Sequence, residues 1–188
     1  PTASAGAPDT PDTTDTTDTP DTPEGTLPFT DVKPGQWFYD AVAYVSGEGL
    51  MTGITADTFA PNGTTTRGMI VTILHRLEGS PAAESAGFTD VPGNQWYTKA
   101  VNWAAANDIV SGYGDDLFGP NDPITREQMA AILYRYAAYK GYDVSARADL
   151  NHYTDAAQIA NYAVEPIQWA NAQGLINGTS TTTLSPAG

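Results

Sequence analysis

Apolar residues return every third or fourth position along two stretches of this chain. Met129, Ile132, Leu133 and Tyr136 fall at i, i+3, i+4 and i+7, and Ile70, Ile73, Leu74 and Leu77 repeat those spacings. Such a period gathers each set on one helix face and predicts an apolar stripe turned to a core, with polar residues opposite. Both helices have marked starts. Pro120, Asn121, Asp122 and Pro123 interrupt regular structure, and Thr125 followed by Gln128 forms a capping box that satisfies the first free amides. A helix is therefore predicted from near Arg126. Residues 59–77 align with 118–136 without a gap, which predicts the matching start near Arg67, although Gly68 and Met69 weaken the capping box there.

The repetition reaches further. Phe29-Thr-Asp-Val32 recurs as Phe88-Thr-Asp-Val91 and, more weakly, as Tyr153-Thr-Asp155. An aromatic cluster follows each opening: Trp37, Phe38 and Tyr39, then Trp96 and Tyr97, then Tyr162 alone. A short helix comes next in all three copies, with Tyr44, Trp103 and Trp169 in one register. Gly49, Asp108 and Gly174 are placed to end it, ahead of the apolar pairs Leu50-Met51, Ile109-Val110 and Leu175-Ile176. Gly53, Gly112 and Gly178 come before a loop that reaches Pro61, Pro120 and Pro186. An internal repeat of this kind outranks any single motif, because each unit needs its neighbours to bury its faces. The fold class is all-α, a tandem array of helix–loop–helix repeats over residues 29–87, 88–148 and 149–188. By register, the Thr-Arg pair of the third copy falls just past Gly188, so that copy is expected to hold only its first half. Leu175, Ile176 and Leu184 are then expected to lose packing partners.

Residues 1–28 read differently. Proline, threonine and aspartate dominate, little can be buried, and the segment is expected to be a disordered, extended spacer reaching about 90 to 100 Å when fully stretched. The chain opens on proline with no basic-apolar leader, and we read it as a piece of a longer protein. Six of its acids and none of its bases fall within this segment, and the net charge of the whole chain is −14. Without a basic stripe to displace phosphate counterions, nucleic acid is excluded as a partner. No apolar run is long enough to insert into a membrane. The chain has no cysteine, so disulfides and thiolate metal sites are excluded.

In so acidic a chain, arginines carry information. Arg67 and Arg126 stand at the positive end of a helix dipole, where an acid is the stabilising choice, so each calls for an anionic partner. That partner is either a ligand or a carboxylate of the opening loops, with Asp31 and Asp90 the nearest candidates. Those aspartates are expected to cap or brace the first helix, to orient the arginines, or to touch ligand. Trp37, Trp96 and Trp103 are candidates for stacking on a ligand, with core packing the rival, above all for the mid-helix Trp103 and for Trp169. His75 and His152 have no metal spacing, and Asp115-Asp116 lacks the rest of a calcium loop and reads as a turn. Asn62-Gly and Asn177-Gly match a glycosylation sequon but also serve as turn chemistry. No nucleophile elbow, phosphate loop or cofactor motif is present.

The Phe-Thr-Asp openings, the glycine-to-proline loop and the Thr-Arg pairs at Thr66-Arg67 and Thr125-Arg126 together resemble the S-layer homology domain over residues 28–188, with departures at Gly68-Met69 and Glu127-Gln128. The resemblance implies a pseudo-threefold arrangement of three repeats whose grooves hold a secondary cell-wall polymer or peptidoglycan-linked glycan, often one carrying pyruvate ketals. It implies a secreted, cell-wall or S-layer location and a cargo domain elsewhere in the parent chain. Arg67 and Arg126 would meet the ketal carboxylate through charge-assisted hydrogen bonds of about 1.5 to 3 kcal/mol each. The expected function is thus a non-catalytic anchor. Two alternatives are a glycan hydrolase using Asp31 with Asp57 and a calcium-dependent, dockerin-like protein-binding module.

Overall fold

The structure is a computed structural model that describes residues 27–188, so the spacer expected over 1–28 lies outside the described residues except for its last two positions. Five α-helices follow in order: α1 (Tyr39–Gly47), α2 (Arg67–Leu77), α3 (Thr98–Ala106), α4 (Arg126–Tyr139) and α5 (Val164–Ala172), with two 3-10 turns at Ala156–Gln158 and Asn161–Ala163. Among the described residues the only extended pairings are two isolated bridges, Thr66 with Pro123 and Gly114 with Leu117. The chain is all-α, as the periodicity requires.

The helix starts lie where the capping chemistry puts them. Thr125 accepts a hydrogen bond from the Gln128 amide at 3.2 Å, and the Gln128 side chain accepts from the Thr125 amide at 3.4 Å. In the first repeat the Met69 sulfur takes the place of that amide oxygen, accepting from Thr66 at 3.5 Å. Sulfur is a weak acceptor, so this box is the looser one. The first helices end as expected. Gly49, Asp108 and Gly174 all adopt left-handed backbone, with φ of 66°, 56° and 69°. Leu50, Ile109 and Leu175 then donate back to Val45, Ala104 and Ala170, the Schellman pattern.

Within each repeat the opening locks onto the loop. Asp31 accepts from the Phe59 and Ala60 amides at 2.9 and 2.7 Å, Asp90 from Phe118 and Gly119 at 2.9 and 2.7 Å, and Asp155 from Leu184 and Ser185 at 2.8 and 2.7 Å. The first helices start without a side-chain cap. The expectation that Asp31 and Asp90 cap or brace those helices is corrected: each carboxylate holds the loop that leads to the second helix. Amide donation to the carboxylate lowers the pKa of Asp31 and of Asp155. The aromatic two positions earlier explains the glycine. A Cβ on Gly53, Gly112 or Gly178 would collide with the ring of Phe29, Phe88 or Tyr153.

Between repeats the second helix packs on the first helix of the next, α2 on α3 and α4 on α5. One core gathers Val71 and Leu74 of α2 with Val101, Trp103 and Ala104 of α3 and Ile132 of α4, and another gathers Ala130 and Ala137 of α4 with Ile167, Trp169 and Ala170 of α5. Helix α4 therefore buries two faces, which corrects the single stripe read from its sequence. Its small alanines allow that double approach, and Leu77, counted in the first stripe, is 52% exposed. Ile176 and Leu184 are buried in the second core, contrary to the expected loss of partners, while Leu175 is exposed. Glu78, just past α2, accepts from Tyr136 of α4 and pairs with Lys140 at 2.9 Å, tying the two second helices together.

Candidate functional site

The two helix-start arginines are placed by the next repeat. Arg67 donates from Nε to the Phe118 carbonyl at 2.9 Å and from Nη2 to the Ser111 carbonyl at 3.2 Å. The amides of Arg67 and Gly68 donate to the carbonyls of Asp122 and Pro120 at 3.0 and 2.9 Å. The same joint recurs one repeat later. Arg126 reaches the carbonyls of Leu184 (3.0 Å) and Asn177, and the amides of Arg126 and Glu127 donate to Gly188 and Pro186 at 3.1 and 2.9 Å. The exposed amides of a helix start and the guanidinium above them thus grip the loop of the following repeat. Those carbonyl dipoles are the electron-rich partners that the helix dipole calls for, and the expected pairing of these arginines with Asp31 or Asp90 does not form.

Arg67 is 5% exposed, and its guanidinium carbon lies 4.5 Å from the Tyr113 ring centroid and 4.6 Å from that of Phe118. Burial lowers its pKa, opposed by Tyr113 and Asp122. Arginine remains charged under such a shift, so the site keeps a positive floor. Among the described residues Nη1 of Arg67 forms no hydrogen bond and no carboxylate pairs with either Arg67 or Arg126.

Above Arg67 opens a cleft of about 380 Å³ between the second loop, α4 and the third repeat. Arg135 enters from α4, contacting the Ser111 hydroxyl at the long distance of 3.5 Å, with Tyr113, Gln128 and Tyr162 around it. Tyr162 donates to Glu127 at 3.3 Å, and Glu127 also accepts from the Ala160 amide at 3.0 Å, which fixes the ring over the cleft. Burial first and Glu127 second push the Tyr162 phenol up to about 12, so it stays protonated across the physiological range. Donating to Glu127 leaves the phenol oxygen free to accept a further hydrogen bond. A second cleft, of about 500 Å³, lies in the equivalent place one repeat earlier. There Ile54 stands for Tyr113, Met69 for Gln128, Trp96 for Tyr162 and Arg76 for Arg135, and Arg76 donates to the Leu50 carbonyl at 2.9 Å.

The sequence-derived candidates therefore scatter. Arg67 floors one cleft and Trp96, 55% exposed, walls the other. Arg126 serves the joint to the third repeat and lines neither cleft. Trp37 is 89% exposed and stands apart from both, while Trp103 is 2% exposed in the core, where no ligand can stack on it. Asp31 and Asp90 spend their carboxylates on backbone amides. Arg76, Arg135, Tyr113 and Tyr162 were missed. The signal for two of them stood in the aligned stretches, since Arg76 and Arg135 occupy one register near the end of the second helix.

Comparison with known proteins agrees with this architecture. A sequence model of the S-layer homology domain matches residues 28–68, 87–130 and 152–188. An endoglucanase of Bacillus sp. (strain KSM-635) is 30% identical over 154 residues, covering 82% of this chain and 16% of the relative. The surface-layer 125 kDa protein of Lysinibacillus sphaericus is 27% identical over 140 residues, 74% of this chain and 12% of the relative. The cellulosome-anchoring protein of Acetivibrio thermocellus is 28% identical over 116 residues, 58% and 26% respectively. The chain thus spans a quarter or less of the length of these relatives, or close to it, and what they share with it is the repeat array. Three matched repeats, each with its loop-holding aspartate and the first two with a helix-start arginine, make this chain a member of the S-layer homology domain family.

Proposed function

We propose that this chain is a non-catalytic, non-covalent anchor for a cell-surface protein, and that the cleft over Arg67 holds an acidic residue of a secondary cell-wall polymer. The observation that carries the reading is the convergence of two guanidiniums, Arg67 and Arg135, on one cleft with no carboxylate partner among the described residues, in a chain of net charge −14. A ketal carboxylate fits that demand. It offers oxygens to the planar forks, while its sugar lies against Tyr113 and Tyr162 and exchanges hydroxyl hydrogen bonds with Gln128. The surface-layer and cellulosome-anchoring relatives support a cell-surface role, and the glucanase relatives, matched over a small share of their length, support cargo carried elsewhere in a longer parent.

The hydrolase alternative has lost its residues. Asp31 is occupied by two amides and Asp57 by the hydroxyls of Thr55 and Thr58, and both carboxyls are shifted down, whereas a glycosidase acid must be shifted up.

The test replaces Arg135, because Arg67 is also built into a joint. Purified chain should co-sediment with cell walls, and Arg135→Gln should weaken that binding about 10-fold while the circular dichroism spectrum is unchanged. Raising the salt should weaken the parent and affect the variant less. Equal sedimentation of both proteins would reject the reading.

A further inference from the structure

Of the three methionines, Met69 stands outside the apolar packing. Met51 lies against the core of the first repeat and Met129 against the core shared by α4 and α5, whereas Met69 belongs to no core among the described residues. Its sulfur is held instead at the start of α2, where it accepts from the Thr66 amide at 3.5 Å. We propose that Met69 is a site of reversible oxidation by hydroperoxides, and that its sulfoxide tightens the start of α2 and with it the joint between the first two repeats.

The cap shows why an oxygen is wanted there. The Thr66 amide has no other acceptor among the described residues, and a thioether accepts weakly. One repeat later Gln128 offers the Thr125 amide an oxygen instead, at 3.4 Å. Methionine sulfoxide has the outline of glutamine: two methylenes lead to an atom that carries one oxygen and one further group, methyl in the first and amino in the second. Oxidation of Met69 therefore turns the first cap into a near copy of the second, where the fold already seats an oxygen. The unbranched side chain has the rotatable bonds needed to draw the sulfur back by the length of one S–O bond. Thr66 precedes Arg67, whose amide holds the Asp122 carbonyl and whose guanidinium holds those of Phe118 and Ser111. A firmer cap thus acts on the joint directly.

Access is open. Met69 is half-buried and lines the cleft of about 500 Å³, so a small oxidant reaches it through open space, whereas Met129 borders neither cleft. In the reaction a sulfur lone pair attacks the hydroxyl oxygen of the hydroperoxide. The S–O bond forms as the O–O bond breaks, and the hydroxyl proton passes to the departing oxygen, which leaves as water or an alcohol. Sulfur gives up two electrons and the peroxide takes them. Return to the thioether needs a methionine sulfoxide reductase. Oxidation of a methionine packed in a core disrupts that core, so Met51 and Met129 are expected to respond in the opposite sense.

The test treats the full chain with dilute hydrogen peroxide and follows each methionine by peptide mass spectrometry. Met69 is expected to oxidise about 5-fold faster than Met129. Thermal unfolding is then read in a chain carrying Met51→Leu and Met129→Leu, so that Met69 is the one methionine left. Complete oxidation should raise the unfolding midpoint by about 2 °C, and treatment with the reductase should return it. Met69→Gln, placed alone in the parent chain, should raise the midpoint by a similar amount without any peroxide. A midpoint that falls or stays unchanged on full oxidation of Met69 overturns the inference. So does a Met69 that oxidises no faster than Met129, or a Met69→Gln chain that melts no higher than the parent.

Discussion

The joint made by Arg67 and the joint made by Arg126 use one plan with different surroundings. Each guanidinium bonds to two loop carbonyls of the next repeat, and each helix start donates two backbone amides to the same loop. Around Arg67 stand Tyr113 and Phe118, which bury the charge between rings. Thr179 and Leu184 hold those positions around Arg126, which is only half-buried. A charged hydrogen bond gains strength as water is excluded, so the first joint should be the tighter and the second the more easily opened. The same plan therefore yields a firm connection beside the cleft over Arg67 and a softer one at the third repeat.

The largest break in that comparison should come from Arg67→Ala. It strands the Phe118 and Ser111 carbonyls and leaves a gap between two rings, and urea unfolding should show a loss of about 3 to 5 kcal/mol. Arg126→Ala should cost about 1 to 2 kcal/mol, because water can take up the freed carbonyls. Equal losses would erase the distinction. Next is Gly68→Ala, which puts a Cβ 2.7 Å from the Pro120 carbonyl oxygen and should cost about 1 to 3 kcal/mol. At the equivalent place the second joint already accommodates Glu127, so a side chain there meets no such collision.

A smaller effect is expected from acid. The folded pKa of Asp155 lies below its ordinary value, so its hold on Leu184 and Ser185 is complete above about pH 4 and is lost as the pH falls through the lowered value. Asp155→Asn should be less stable at neutral pH and should flatten the stability profile at its acid end, followed by far-UV circular dichroism. A profile as steep as the parent's would refute the assignment. Smallest of all, Tyr113→Thr gives the first joint the threonine found in the second, and should lower stability by about 1 kcal/mol while bringing the two joints closer.

Much of the framework was legible in the sequence for local reasons. Thr66, Thr125, Gly49, Asp108 and Gly174 act on backbone groups within a few residues, so their roles can be read from their neighbours alone. Arg67 and Arg126 were legible as misplaced charges, yet their partners were not. The carbonyls of Ser111, Phe118, Asn177 and Leu184 leave no mark in a side-chain alphabet, and only the fold shows which loop lands on which helix start. Asp31 and Asp90 carried the same difficulty, being strong acceptors whose donors lie 28 and 29 residues further on, midway through their own repeat. The stripe on α4 misled because alanine reads as a neutral helix former, while Ala130 and Ala137 admit a second packing surface. Trp103 was ambiguous for want of depth: mid-helix tryptophan is apolar in either setting, and packing alone put it in the core.

Because every connection is written as guanidinium and amides on one side and carbonyls on the other, no side chain of the receiving loop needs to be specified for the fit. Whole units can be exchanged, duplicated or dropped at such a seam with the backbone supplying the match each time. A surface tether built this way can change its number of repeats by recombination at the level of the gene, leaving the chemistry of each coupling as it was.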